Sequence, residues 1–193
     1  MNDILTPQQI ESEAKSFYHA GDYMKAAKSF QAARQGYSLA NNDFMAAEMA
    51  NNCSVSYLMA GENESALQAL EGVEFVFIQA DDQKRQAMTL GNQAAALDAL
   101  GRLEEAEEKY WEAAQIFKDL GDTELRLPIM QSISSLQLRT GRHYQAIASM
   151  YAGIEKINNP NLKQRFLKRL LGIPFQILNI QSKVLPDGSD NNS

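Results

Sequence analysis

The sequence predicts an all-α protein, a solenoid of four helical hairpins followed by a C-terminal capping helix. Three observations predict it. Gly21, Gly61, Gly101 and Gly141 recur at intervals of 40 residues. An alanine follows each glycine in the same frame (Ala26, Ala66, Ala106, Ala146), then a bulky residue (Phe30, Leu70, Tyr110, Met150). Small or modest residues recur before the turn at Ala14, Ser54, Ala94 and Ser134, and after it at Ala33, Val73, Ala113 and Gly153. A fixed period in this range is the signature of stacked structural repeats. Small residues let two helices approach, bulky ones fill the space between them, and the glycine supplies the left-handed residue that ends a helix.

Thr6-Pro7 opens the first helix, because threonine can cap it and proline at its first position loses no needed hydrogen bond. That helix runs to about Ala20. Asp22 is expected to cap its partner, which carries Tyr23, Ala26, Ala27, Phe30, Ala33 and Tyr37 at three-and-four spacing. Asp43 is expected to cap the next helix, and Glu62 or Asn63 to begin one unbroken partner helix to about Ala80. Asp81-Asp82 and then Leu103-Glu104-Glu105 open the third pair, and Gly121-Asp122-Thr123 the fourth. Pro128 should delay or distort the start of that fourth pair. The repeats are thus about 7–42, 43–81, 82–121 and 122–160, with a capping helix at about 161–180, in one domain spanning 1–180. Leu167, Leu170, Leu171, Phe175 and Leu178 would cover the open end of the core, with a bend at Gly172-Ile173-Pro174. Residues 181–193 read as a polar, disordered tail.

The Ala-x3-bulky element, present as Ala26/Phe30 and Ala106/Tyr110, resembles the tetratricopeptide repeat family. The period is 40 rather than the family's usual ~34. Ile10, Ala50, Leu90 and Met130 stand where the family has an early tryptophan, and only Pro160 stands where it closes on proline. The longer period is similar to the subclass seen in kinesin light chains, Pins-type spindle adaptors and Rap-type bacterial regulators. The resemblance covers roughly residues 7–160. It implies a right-handed α-solenoid whose first helices line a concave groove, and a scaffold or adaptor role rather than a particular partner.

Composition narrows the function classes. A formal charge of −6 and a pI near 5.0, with no broad basic stripe, argue against nucleic acid. Lys163, Arg165, Lys168 and Arg169 form one short basic run, read as a solvated face of the capping helix. Cys53 is the single cysteine, so no intrachain disulfide can form, and it reads as a small core residue. The opening residues have neither a basic start nor an apolar run, and no stretch approaches the ~20 apolar residues of a membrane span. The expectation is a cytoplasmic protein that does not engage membranes.

No catalytic constellation is visible. His19 and His143 lie at turns of different repeats, without metal-ligand spacing. Glu104, Glu105, Glu107 and Glu108 read as a solvated helix start, where carboxylates favour the positive end of the dipole. The expectation is a protein that is not an enzyme and holds neither cofactor nor metal.

Function should therefore lie on the first helices. The 40-residue frame places Ser12, Asn52, Asn92 and Ser132 at equivalent positions. In the resembled subclass an asparagine here enters the groove and bonds the backbone of an extended peptide, and Asn52 and Asn92 match it. Same-face neighbours expected to set specificity include Lys15, Glu48, Asn51, Val55, Met59, Met88, Gln131, Ser132, Ser135 and Arg139, with Val55, Leu58, Met59 and Met88 as an apolar floor. The alternative for the asparagines is a bond to a neighbouring helix. The carboxylate clamp of some family members is not expected, given Glu11 and Gly91. A second surface is suggested by Phe75 and Val76, in a run more apolar than one buried face requires, and by Phe175 and Leu178. These would be oligomer contacts. The preferred reading is an adaptor holding a peptide of a partner protein; the alternatives are a self-assembling module and a regulatory subunit of a partner enzyme.

Overall fold

The computed structural model describes residues 5–155, 160 and 162–178, with side chains only to residue 171 within the last helix. Ten α-helices occupy these residues: α1 Pro7–His19, α2 Tyr23–Leu39, α3 Asp43–Met59, α4 Asn63–Ala69, α5 Val73–Gln79, α6 Gln83–Ala99, α7 Leu103–Asp119, α8 Thr123–Arg139, α9 His143–Ile154 and α10 Leu162–Leu178. No strand occurs among them. The protein is all-helical and repeat-like. It forms two compact units, one up to Ile116 and one from Phe117, the division falling within α7. The tail assigned to 181–193 lies outside the described residues.

The repeat is written most regularly in the turns. Apart from Gly72, the described residues with positive φ fall every 20 positions, at Gly21, Asn41, Gly61, Asp81, Gly101, Gly121 and Gly141. Each closes the same double hydrogen bond. At the first, Gly21 N donates to Tyr18 O at 3.1 Å and Asp22 N to Phe17 O at 2.9 Å. At the fourth, Asp81 N donates to Ile78 O at 3.1 Å and Asp82 N to Phe77 O at 2.9 Å. This pair of bonds satisfies two of the last carbonyls of the helix and reverses the chain. Asn and Asp substitute for glycine at 41 and 81 because their short polar side chains tolerate the left-handed region.

The first helix of each pair is firmly capped. Thr6 forms a reciprocal box with Gln9, whose Oε1 accepts from Thr6 N at 2.8 Å. Asn42, not Asp43, caps α3 by accepting from Met45 N at 3.1 Å. Asp82 and Asp122 do the same for α6 and α8. Second helices differ. Asp22 makes no cap bond and its carboxylate instead takes Lys25 Nζ at 3.1 Å.

Three elements depart from expectation. The second helix of the second pair is broken into α4 and α5, because Gly72 adopts φ 73 and stops the α4 ladder. Arg34 Nη1 caps the C-terminal end of α4 at Ala69 O, 2.9 Å away. Helix α8 begins at Thr123 and carries Pro128 in its interior, so its start is neither delayed nor irregular. Helix α10 runs unbroken through Gly172 and Pro174.

The first unit packs around Ala14, Ala26, Ala27, Phe30, Ala33, Tyr37, Met49 and Cys53, all essentially buried. A second patch joins Ala47, Ala50, Val73 and Phe77, with the Phe44 and Phe77 rings edge to face at 5.5 Å. Full burial of Phe77 contributes roughly 1.5–3 kcal/mol. In the second unit α8 and α9 bury Met130, Ile133, Leu136, Ala146 and Ile154, and Ser134 Oγ donates to Ala146 O at 2.8 Å. The small residues do what their spacing implies: a Cβ on Gly153 would stand 2.8 Å from Met130 Cβ.

The α3–α6 cleft as a candidate functional site

The candidate site is built from two first helices of the first unit. Asp82 ends the turn after α5 and caps α6, which places Arg85 one turn in, with its N–H on Asp82 Oδ1 at 2.9 Å. The guanidinium returns to Asp82 Oδ2 at 2.7 Å and reaches across to Glu48 Oε1 of α3 at 2.6 Å. It also lies 5.0 Å from the centroid of the Phe44 ring. Arg85 is held above its ordinary pKa by the bond to Glu48, against burial, and further by Asp82. Burial alone would raise the Asp82 carboxyl; its bonds to the Arg85 N–H and guanidinium outweigh that and hold it below its ordinary value. One arginine therefore locks the N-terminal halves of α3 and α6 together.

One turn further along, a polar ladder continues the seam. Thr89 Oγ1 donates to Arg85 O at 3.0 Å and accepts from Asn51 Nδ2 at 3.0 Å. Asn51 Oδ1 accepts from Asn92 Nδ2 at 3.1 Å. Asn51 is buried, and both ends of its amide are engaged between the two helices. Asn92 is half-buried: its amide N–H bonds the neighbouring helix, which was the alternative reading, and its Oδ1 has no partner among the described residues. Asn52 is half-exposed, and its side-chain amide makes no hydrogen bond among the described residues.

Beside this seam is a cleft of about 220 Å³ lined by Glu48, Asn51, Asn52, Lys84, Arg85 and Met88. Small-molecule pockets usually hold ~300–1,000 Å³, so this one suits one or two side chains of an extended chain better than a cofactor. Met88 is 42% exposed and supplies an adaptable apolar wall. The apolar floor is smaller than expected, because Val55 is half-buried and Met59, 52% exposed at the end of α3, does not line the cleft.

The remaining candidates are dispersed. Lys15 is exposed on α1 and pairs with Glu11 at 2.6 Å. Gln131, Ser135 and Arg139 are exposed and Ser132 half-exposed on α8 of the second unit. Phe75 projects from α5, 62% exposed, but Val76 packs against the Phe44/Phe77 patch because it follows the buried Val73 by one helical turn. The side chains of Phe175 and Leu178 lie outside the described residues, and Leu170, expected to cover the core, is 50% exposed.

Of the residues lining the cleft, Glu48, Asn51, Asn52 and Met88 were singled out from the sequence, and Lys84 and Arg85 were not, nor were Thr89 and Phe44 of the adjoining seam. The Asp82/Arg85 spacing was a usable signal: a cap residue three before an arginine on the first turn of a helix.

Other reactive groups are placed differently. Cys53 is buried and its Sγ donates to Ala27 O at 3.3 Å. Burial pushes its thiol up to about 11, although Arg34 draws it slightly down. Among the described residues no group of His, Cys, Asp and Glu is placed to hold a metal ion, and no helix is long and apolar enough to cross a membrane.

No protein-family model matches the chain, and no curated protein matches it.

Proposed function

We propose that this protein is a scaffold that holds an extended peptide segment of a partner protein on its first helices, with the α3–α6 cleft as the grip. In this reading the hairpins stack in phase as a right-handed α-solenoid of the tetratricopeptide type, and the 20-residue spacing of its left-handed turn residues supports such stacking. One observation carries the binding role. Asn52 offers two donors and an acceptor beside Met88, in a cleft whose walls are fixed by the Arg85 bridge, and nothing within the described chain uses them. A pre-organised amide of this kind can bond a peptide N–H and C=O together, which grips backbone independently of sequence. Asn92 Oδ1 adds a second acceptor on the same seam. Glu48, Lys84 and Arg85 would then select among partner side chains.

The test is enrichment of linear peptides from a random phage-displayed library on the wild-type chain. Enriched peptides should bind Asn52→Ala at least about tenfold more weakly, the worth of roughly 1.4 kcal/mol, with an unchanged helical spectrum. Equal binding by the variant removes the cleft from the account.

A second reading, self-assembly, is favoured by Phe75 and by Ile78, 47% exposed on the same short helix. Light scattering of the wild type and Phe75→Ser separates it from the first: a dimer lost on substitution supports it.

A further inference from the structure

Helix α10 occupies the frame of a first helix, 40 positions beyond α8, and the two can be compared residue by residue within the second unit. The position of Leu170 is held in α8 by Met130, which is fully buried and lies against Gly153 of α9. The position of Phe166 is held by Arg126, whose Nη1 donates to Ala152 O of α9 at 2.8 Å. Both positions therefore face the second helix of their own hairpin. In α10 they are open: Phe166 is 68% and Leu170 50% exposed, and Leu162, on the same stripe, is 82% exposed. The other flank is docked, with Leu167 and Leu171 half-buried and Lys168 Nζ donating to Glu155 O past the end of α9. The sequence that follows does not carry the second-helix pattern. Pro186 falls in the frame of Ala26, Ala66, Ala106 and Ala146, and Asp190 in that of Phe30, Leu70, Tyr110 and Met150.

We propose that the Leu162–Phe166–Leu170 face of α10 docks an acidic amphipathic helix of a partner protein, which completes the hairpin from outside. The register specifies a helix, because the counterparts of Phe166 and Leu170 in α8, Arg126 and Met130, meet one. The charge specifies its sign. Helix α10 carries Lys163, Arg165, Lys168 and Arg169 and no carboxylate, in a chain of net charge −6. Lys163, Arg165 and Arg169 are exposed beside the stripe. Two copies of α10 face to face would bring these cations together, and an anionic bilayer matches the charges without accounting for the register. The occupant is thus distinct from the extended peptide of the α3–α6 cleft.

The chain contains a suitable probe. The segment Leu103–Asp119 is an acidic helix with the Ala106/Tyr110 pattern, and can be made as a peptide stapled on its opposite face. Titrated against the 193-residue chain by fluorescence anisotropy, it should bind saturably. Binding should fall about tenfold or more in Phe166→Glu, as expected for losing a buried aromatic contact. It should also fall in Arg165→Glu with Arg169→Glu, which leaves the stripe intact, and should be unchanged in Asn52→Ala. All three residues on α10 are exposed, so helical content should hold. The proposal is overturned by absence of peptide binding, or by binding indifferent to these substitutions. Dimerisation lost in Phe166→Glu, or stripe-dependent sedimentation with phosphatidylserine vesicles but no peptide binding, would overturn it equally.

Discussion

Three asparagines on one seam should respond very differently to truncation. Asn51 is 8% exposed and makes two interhelical hydrogen bonds, at 3.0 Å to Thr89 and 3.1 Å from Asn92. Each bond contributes roughly 0.5–1.5 kcal/mol, and truncation also leaves a small cavity, so Asn51→Ala should cost about 2–3 kcal/mol. Thr89 keeps its bond to Arg85 O, which bounds the loss. Asn92→Ala removes one bond and leaves the buried Asn51 Oδ1 without its donor, at about 1–2 kcal/mol. Asn52→Ala removes no bond of the described chain and should lie within ~0.5 kcal/mol of wild type. Urea unfolding followed at 222 nm measures all three, as midpoint shifts at constant slope. The reasoning fails if Asn52→Ala costs as much as Asn51→Ala, or if Asn51→Ala is silent. The order also guards the binding claim, since a stable Asn52→Ala that loses peptide has lost a contact and not the fold.

Further outcomes follow from other sites. Gly153→Ala should lower stability by about 1–3 kcal/mol, because its Cβ would meet Met130 Cβ at 2.8 Å, and a thermal melt checks it. Cys53, buried with its thiol pushed up to about 11, should resist a thiol-reactive chromophore in the native state and react fully in urea; rapid native labelling contradicts its placement. The carboxyl of Asp82 is held below its ordinary 3.8, so its contribution is complete above that value and is lost as pH falls through the folded value. The melting temperature of the wild type should therefore drop more steeply below about pH 4 than that of Asp82→Asn, and parallel curves would count against the Arg85 lock.

Much of this was legible because the repeat is a local code. A glycine at 21, 61, 101 or 141 needs only its own φ to end a helix, and the small and bulky positions follow from hairpin packing. Asn41 and Asp81 were harder to see as turn residues, since neither is obligate there and each takes the left-handed region only because the chain reverses. The break at Gly72 was hidden by the apolar periodicity of Val73 and Phe77, which continues in phase across it. The burial of Asn51 was not legible, because spacing gives the face of a helix to within one residue, whereas burial depends on how α6 leans on it. The Arg85 lock joins residues 37 positions apart, Glu48 and Arg85, and only the fold brings them into contact.

The central claim concerns the Asn52 amide, and side-chain amide resonances report on it directly. With the wild-type chain saturated by a library-selected peptide, the Asn52 Nδ2 protons should shift and exchange more slowly with solvent, while those of Asn51, already bonded to Thr89, stay in place. Perturbation confined to helices other than α3 and α6, with the Asn52 signals unmoved, would contradict the account.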